Sequence, residues 1–204
     1  MPLETDDLDV YLRPTPVVDS DHPQVAARAT DVTRSATNDV ERAKALFEWV
    51  RDQIPHSYDI QSRLVTCAAS QVLDKGTGIC FAKSHLLAAM CRSQGIPAGL
   101  VYQRLQREVE GDEFVLHGFN AIYLESLDRW IRVDPRGNKP GVDAQFNLDE
   151  EQLAFPTDST RGEQIIDTIF ADADPAVVEF LTQTADLLEG WADLPEDLRR
   201  PAQT

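Results

Sequence analysis

Apolar residues along this chain recur first at helical spacing and then, past Pro97, at strand spacing. Residues 24–35 and 39–53 read as helices, the second with Val40, Ala43, Leu46, Phe47 and Val50 three to four apart, as a buried stripe requires. Asn38 or Thr37 can cap that helix, with Glu41 in its first turn. The strongest helical pattern covers 81–93, where Ala82, Leu86, Ala89 and Met90 make a continuous apolar stripe and Gly95-Ile96-Pro97 ends it. This is expected to be the central, buried helix. Between the two patterns, Ile54-Pro55-His56-Ser57-Tyr58-Asp59 breaks the earlier helix and leads through a polar region to Asp74-Lys75-Gly76. Loops in such places often line sites.

After Pro97 the alternation predicts strands over 98–105, 115–124 and 130–134, separated by polar turns at 106–112 and 125–129, and hence an antiparallel sheet. The stretch to about Pro23 is rich in Pro and Asp. Its Tyr11-Leu12-Arg13-Pro14-Thr15-Pro16 reads as extended chain along the domain edge. Beyond the strands come a Gly/Pro/Asn loop at 136–141, a mixed segment at 148–155 and a helix at 175–188. There is no internal repeat and no low-complexity tract. The expected fold class is α+β, a helix carrying Cys80 packed on an antiparallel sheet. The 204 residues suit a single domain over 1–204, its core at about 43–138 with the flanking segments packed on it.

Composition changes the picture mainly by exclusion. With 42% hydrophobic and 26% charged residues the chain can fold on its own core. A net charge of −16, from 35 acidic against 19 basic residues, argues against nucleic-acid or anionic-membrane partners, which require a basic face. The acidic excess at both ends reads as a solvated surface that favours a monomer. Three irregularly spaced cysteines are an odd number and no disulfide framework. The start Met1-Pro2-Leu3-Glu4-Thr5-Asp6-Asp7 lacks signal-peptide character, and no apolar run reaches the length of a membrane span. Reduced thiols and a cytoplasmic location are the expectation.

The candidate chemistry begins at Cys80. It follows Lys75-Gly76-Thr77-Gly78-Ile79 and opens the central helix, where unpaired N–H groups and the positive end of the dipole favour thiolate. Downstream lie His117 and Asp134, each in a strand-like run. If strands 115–124 and 129–134 form a hairpin with a four-residue connection, Asp134 falls opposite Phe119 and on the face of His117. A slip of one residue would send it to the other face. Cys80 would then attack an amide or ester carbonyl, His117 would carry the proton to the leaving group, and Asp134 would hold the ring. The Cys80 N–H can supply one oxyanion donor. The second is unassigned, with His56, Tyr58 and Trp49 all in range by position.

The remaining thiols fit a structural role. Cys91 lies about 16 Å along the same helix from Cys80, too far for a disulfide while that helix is intact. Cys67 sits in the polar region. His85 points roughly 140° around the helix from Cys80 and makes a poor base for it. The same geometry rules out a zinc site of Cys80, His85 and Cys91, and there is no paired CxxC. No metal and no cofactor are expected.

Gly76-Thr77-Gly78-Ile79-Cys80, followed by Ala82-Lys83-Ser84-His85-Leu86-Leu87-Ala88-Ala89-Met90 and Gly95-Ile96-Pro97-Ala98, resembles the core motif of transglutaminase-like proteins. In that superfamily the cysteine is the nucleophile, and a histidine ahead of an aromatic-rich strand and an aspartate after a tryptophan complete a triad. These fall on Cys80, on His117 in His117-Gly118-Phe119-Asn120-Ala121, and on Asp134 in Trp130-Ile131-Arg132-Val133-Asp134-Pro135-Arg136. The resemblance covers roughly 43–138 and implies a papain-like α+β fold. Members include protein cross-linkers, cysteine peptidases, amide hydrolases and inactive copies. The chain lacks the accessory and calcium-binding regions of the large animal cross-linkers, which argues against calcium dependence and true cross-linking. Two readings follow: a thiol enzyme acting on a peptide, protein or small amide, or a catalytically silent module that keeps the fold for interaction.

Overall fold

The computed structural model describes residues 1–107 and 113–199. Five α-helices span α1 Pro23–Thr33, α2 Asp39–Gln53, α3 Ala69–Lys75, α4 Cys80–Ser93 and α5 Pro175–Gln183. Four strands, β1 Ala98–Gln106, β2 Phe114–Leu124, β3 Arg129–Val133 and β4 Gln164–Phe170, form one antiparallel sheet in the order β3-β2-β1-β4. The α+β class and the Cys-bearing helix against an antiparallel sheet are as expected. Most of the predicted turn at 106–112 lies outside the described residues.

Helix α2 begins where the capping residues place it. Asn38 Oδ1 accepts the Glu41 N–H at 2.9 Å and Glu41 Oε2 accepts the Thr37 N–H at 2.7 Å, so both candidate residues take part and Asn38 is the cap itself. Of its expected stripe, Ala43, Leu46, Phe47 and Val50 are fully buried and Val40, in the first turn, is half-buried. Helix α4 goes further than its apolar stripe: every residue from Cys80 to Arg92 is buried, because β1 and β2 cover one side and α1, α2 and α3 surround the rest. Four polar side chains are thereby buried with it and need partners.

Two elements went unread in the sequence. Helix α3 is seven residues of mostly polar character, too short for a helical period to show. It is held by the Gln71 side chain accepting the N–H groups of Cys67 at 3.0 Å and Ala68 at 3.3 Å, and it ends on Gly76 in the left-handed region. Strand β4 has Asp167 and Thr168 interrupting its apolar residues, and its pairing with β1 shifts register between Leu100 and Tyr102. The N-terminus covers this strand: Glu4 N–H donates to Ile169 O and Ile169 N–H to Pro2 O, both at 3.0 Å. The proline-rich start does run along the domain edge, but Leu8–Tyr11 forms a 3₁₀ turn that buries Tyr11 completely. Helix α5 stops at Gln183 rather than 188, and the Leu187 N–H bonds to Arg63 O instead of continuing it. No helix among the described residues is long and apolar enough to cross a membrane.

Arg92 ties these outer pieces to the centre. Its guanidinium, buried at the end of α4, donates to the carbonyls of Ala98 at 2.8 and 3.0 Å, Arg13 at 2.7 Å and Ala171 at 2.5 Å. Arg92→Met keeps much of the volume and orphans these carbonyls, each worth about 1–3 kcal/mol when buried. The expected loss of unfolding free energy is about 2–4 kcal/mol by urea denaturation. A wild-type midpoint would show that the N-terminal segment and β4 do not depend on this tie.

Candidate active site

The approach to Cys80 is stitched down before the helix begins. Ser57 N–H donates to Gly78 O at 3.1 Å, the Ser57 and Thr77 hydroxyls meet at 2.9 Å, Thr77 Oγ1 donates to Pro55 O at 2.9 Å, and Thr66 Oγ1 to Thr77 O at 3.0 Å. A Cβ on Gly78 would sit 3.1 Å from Ala82 Cβ and 3.2 Å from Thr66 Oγ1, so glycine there allows the close approach. Cys80 then opens α4 at the dipole's positive end, 8% exposed.

His117 comes from β2 and is 4% exposed. The β2–β3 register pairs Asn120 with Val133, and one residue further along the same register lies Asp134 opposite Phe119, the placement expected from a four-residue connection. Asp134 is fully buried, and its Oδ2 lies 2.7 Å from His117 Nε2. Backbone N–H groups fill the carboxylate's remaining positions: Arg136 N–H donates to Oδ1 at 3.0 Å and Ala154 N–H to Oδ2 at 3.1 Å. Phe155 meets the His117 ring edge-on, centroids 5.0 Å apart. Cys80 is the second group that acts on the same imidazole, through its charge and its side chain. With Nε2 engaged by Asp134, Nδ1 is the nitrogen left for the thiol. Burial by itself disfavours a charged His117. The charges of Asp134 and Cys80, with their hydrogen bonds, outweigh it and raise the pKa to about 10. The structure therefore brings Cys80, His117 and Asp134 together around one ring.

The other thiols have no comparable surroundings. Burial pushes Cys67 up to about 11 and Cys91 up to about 12. His85, fully buried within α4, has its Nδ1 2.8 Å from Cys67 O, and burial lowers its pKa. Trp49 faces Arg28 on α1, with the guanidinium 5.4 Å from its ring centre. Tyr58 stacks on Trp191 at 3.9 Å, and Trp191 meets His56 edge-on at 6.3 Å.

One buried group beside the site was not read from the sequence. Lys83, one turn after Cys80 and fully buried, donates through Nζ to Arg51 O at 3.3 Å and to Ile54 O, at the C-terminal end of α2. Burial, joined by Arg136, lowers its pKa to about 7 against the pull of Asp134, Asp52 and Asp59. The signal was available: a charged residue inside an otherwise apolar helix pattern, where a buried charge must have partners. Arg136 in turn forms a two-pronged pair with Asp59, at 2.9 Å on its second arm, and Lys139 reaches the same carboxylate at 2.8 Å. Together they fasten the loop after Asp134 to the loop after His56.

The family model of the transglutaminase-like superfamily matches residues 26–135, just over half of the chain and a span that contains Cys80, His117 and Asp134. The chain belongs to the transglutaminase-like superfamily. Among solved structures it is similar to the "Putative Cysteine Protease from Cytophaga hutchinsonii", at 20% identity and a TM-score of 0.52, over 65% of this chain and 43% of that one. It is also similar to the periplasmic domain of TgpA from Pseudomonas aeruginosa, at 18% identity and a TM-score of 0.47, over 65% of this chain and 48% of that one. The chain thus spans less than half of either protein. No curated protein matches it. The fold is that of transglutaminase and papain-like proteins, and membership in the superfamily supports a cysteine-type enzyme in general.

The three perturbed histidines give stability a pH optimum. His56 and His85 are kept neutral chiefly by burial, so their folded pKa values lie below the unfolded value of about 6.5. What they contribute is complete above about pH 6.5 and is lost as pH falls below it. His117 is the reverse: raised in the fold, it contributes fully below about 6.5 and loses that contribution as pH rises toward about 10. Urea midpoints measured from pH 5 to 8 are expected to rise to a maximum near 6.5 and to fall only shallowly above it, each group giving up to about 1.4 kcal/mol per pH unit, because Lys83, lowered to about 7 in the fold, gains stability above pH 7 as His117 loses it. His85→Gln should flatten only the acid limb, and His117→Gln should turn the shallow alkaline fall into a rise. A flat profile, or limbs unchanged in both variants, would contradict these assignments.

Proposed function

We propose that this protein is a thiol hydrolase or acyltransferase acting on an amide carbonyl of a peptide, protein or small amide. The observation that carries the reading is the His117 ring held between Asp134 and the Cys80 thiol. The Cys80 proton passes to His117 Nδ1, and the thiolate adds to the carbonyl carbon while the carbonyl electron pair moves onto oxygen. Collapse of that tetrahedral species breaks the C–N bond, and the leaving amine takes the proton from His117. The thioester on Cys80 is then cleaved by water, or by a second amine, with His117 accepting the nucleophile's proton and returning it to sulfur.

Asp134 keeps its place through this cycle. Its two backbone donors and the ring hold the carboxylate charged and in place, so it orients and stabilises the imidazolium without taking the proton. The Cys80 N–H, at the start of α4, is free of any intrahelical acceptor and can meet the developing oxyanion.

Iodoacetamide alkylation, followed residue by residue with mass spectrometry from pH 5 to 9, tests the pair. Cys80 should react at least about tenfold faster than Cys67 or Cys91, and His117→Ala should slow Cys80 by about tenfold or more. Asp134→Asn should lower acyl-transfer turnover by roughly 10²–10⁴ with the fold retained. Cys80 as slow as the other two thiols would sink the proposal.

A further inference from the structure

An acyl-transfer nucleophile gains most when two preorganised donors meet the oxyanion. The Cys80 N–H supplies one. The neighbourhood holds a second group whose hydrogen bonding is unfinished: His56.

The backbone of His56 pairs with Gly78, two residues ahead of Cys80, and the Ser57 N–H bond to Gly78 O continues the contact. Lys83 fixes the same loop from behind through Ile54 O. The His56 ring is buried, 6% exposed, with Trp191 against it edge-on. Among the described residues its Nδ1 is buried and has no hydrogen-bond partner, whereas Nε2 is not one of the buried, unpartnered atoms. That asymmetry decides the tautomer. A proton on Nδ1 would be an N–H buried without an acceptor, the rarer orphan; a proton on Nε2 leaves a lone pair unmatched inside and puts the N–H on the nitrogen that is not both buried and unpartnered.

The groups facing the ring keep it neutral. Burial acts first, and the charges of Arg136, Lys83 and His117 add to it against the opposing pull of Asp59, so its pKa lies well below the ordinary value. The ring can therefore serve as a fixed, uncharged donor beside a charged His117, and it does not compete for the Cys80 proton.

We propose that the Nε2–H of His56 is the second oxyanion donor, acting with the Cys80 N–H on the carbonyl oxygen of the bound acyl group. The assignment deepens the acyl-transfer reading of Cys80 and rests on it. His56 does not take part in making the thiolate, so its removal should affect carbonyl addition and leave simple displacement alone.

Two probes separate those steps. p-Nitrophenyl acetate acylates a thiolate through a tetrahedral oxyanion, forming an acetyl thioester and releasing p-nitrophenolate; iodoacetamide alkylates it by displacing iodide with no oxyanion. Second-order rates for both would be measured at Cys80 in the full chain, in His56→Ala, in His56→Phe, which keeps a ring against Trp191, and in His56→Gln, whose amide can donate. Circular dichroism would confirm folding. The Ala and Phe variants should lose about 10–10³-fold in acylation while alkylation stays within about twofold, and Gln should recover about tenfold of the loss. Equal losses with both probes would make His56 a support for the thiolate and overturn the assignment, as would undiminished acylation in a folded Ala or Phe variant. Fast alkylation of wild-type Cys80 without acylation would overturn the donor assignment alone. Slow, unselective alkylation of wild-type Cys80 would overturn the acyl-transfer reading beneath it as well.

Discussion

The burial of α4 on all sides is the constraint from which the site follows. A helix with one exposed face can leave its polar side chains in water; this one cannot, and each of its four buried polar residues reaches out to a different part of the chain. Lys83 takes carbonyls at the end of α2 and the start of the His56 loop. Ser84 donates to Gly118 O at 3.1 Å, next to His117, and its own carbonyl accepts the Asn120 side chain at 2.9 Å. His85 contacts Cys67 O, and Arg92 gathers the N-terminal segment, β1 and the end of β4. The hydrogen bonds that make the buried helix tolerable are the same bonds that fix the loops and strands around Cys80.

The sheet supplies the complementary precision. A two-residue periodicity means that a one-residue slip would put His117 and Asp134 on opposite faces, and the antiparallel pairing of Asn120 with Val133 keeps them on the same one. Gly118 lets the sheet approach the helix: a Cβ there would come within 2.6 Å of Phe81, the residue after Cys80. Asp134 would be expensive to bury charged without help. Two backbone N–H groups and the His117 ring provide that help, and the Arg136 that donates one of them also pairs with Asp59 across to the His56 loop.

Much of this was legible in the sequence because it rests on local, periodic signals. The boundaries of α2 at Asp39 and Gln53 and the opening of α4 at Cys80 follow from caps and glycines, and the β2–β3 register is the one expected on the condition of a four-residue connection, which the sequence alone did not fix. What was not legible depends on contacts distant in sequence. Seven residues, four of them polar, become α3 only because they are pressed against α4, and β4 is a strand because β1 offers an edge and the N-terminus closes the other side. The partners of Lys83 and Arg92 are carbonyls tens of residues away, which composition and spacing do not encode. His56 could be named as near the site by position, but its unpartnered nitrogen appears only once the ring is buried.

The contrast between the two histidines shows how environment divides one residue type between roles. Both are buried, and burial alone would keep both neutral. His117 has a carboxylate at 2.7 Å and a thiol on its other side, so the charged form is favoured. The carboxylate that pulls on His56 is Asp59, already claimed by Arg136 and Lys139; against burial, their hydrogen bonds and the charge of Arg136 hold it well below the usual carboxylate range. Arg136 thus acts on both rings: through its N–H it steadies the acid that keeps His117 charged, and through its guanidinium it occupies the acid that could have charged His56. A proton carrier and a neutral donor can then stand near the same thiolate without exchanging roles; burial and Asp134 make the division, and the placement of Arg136 reinforces it.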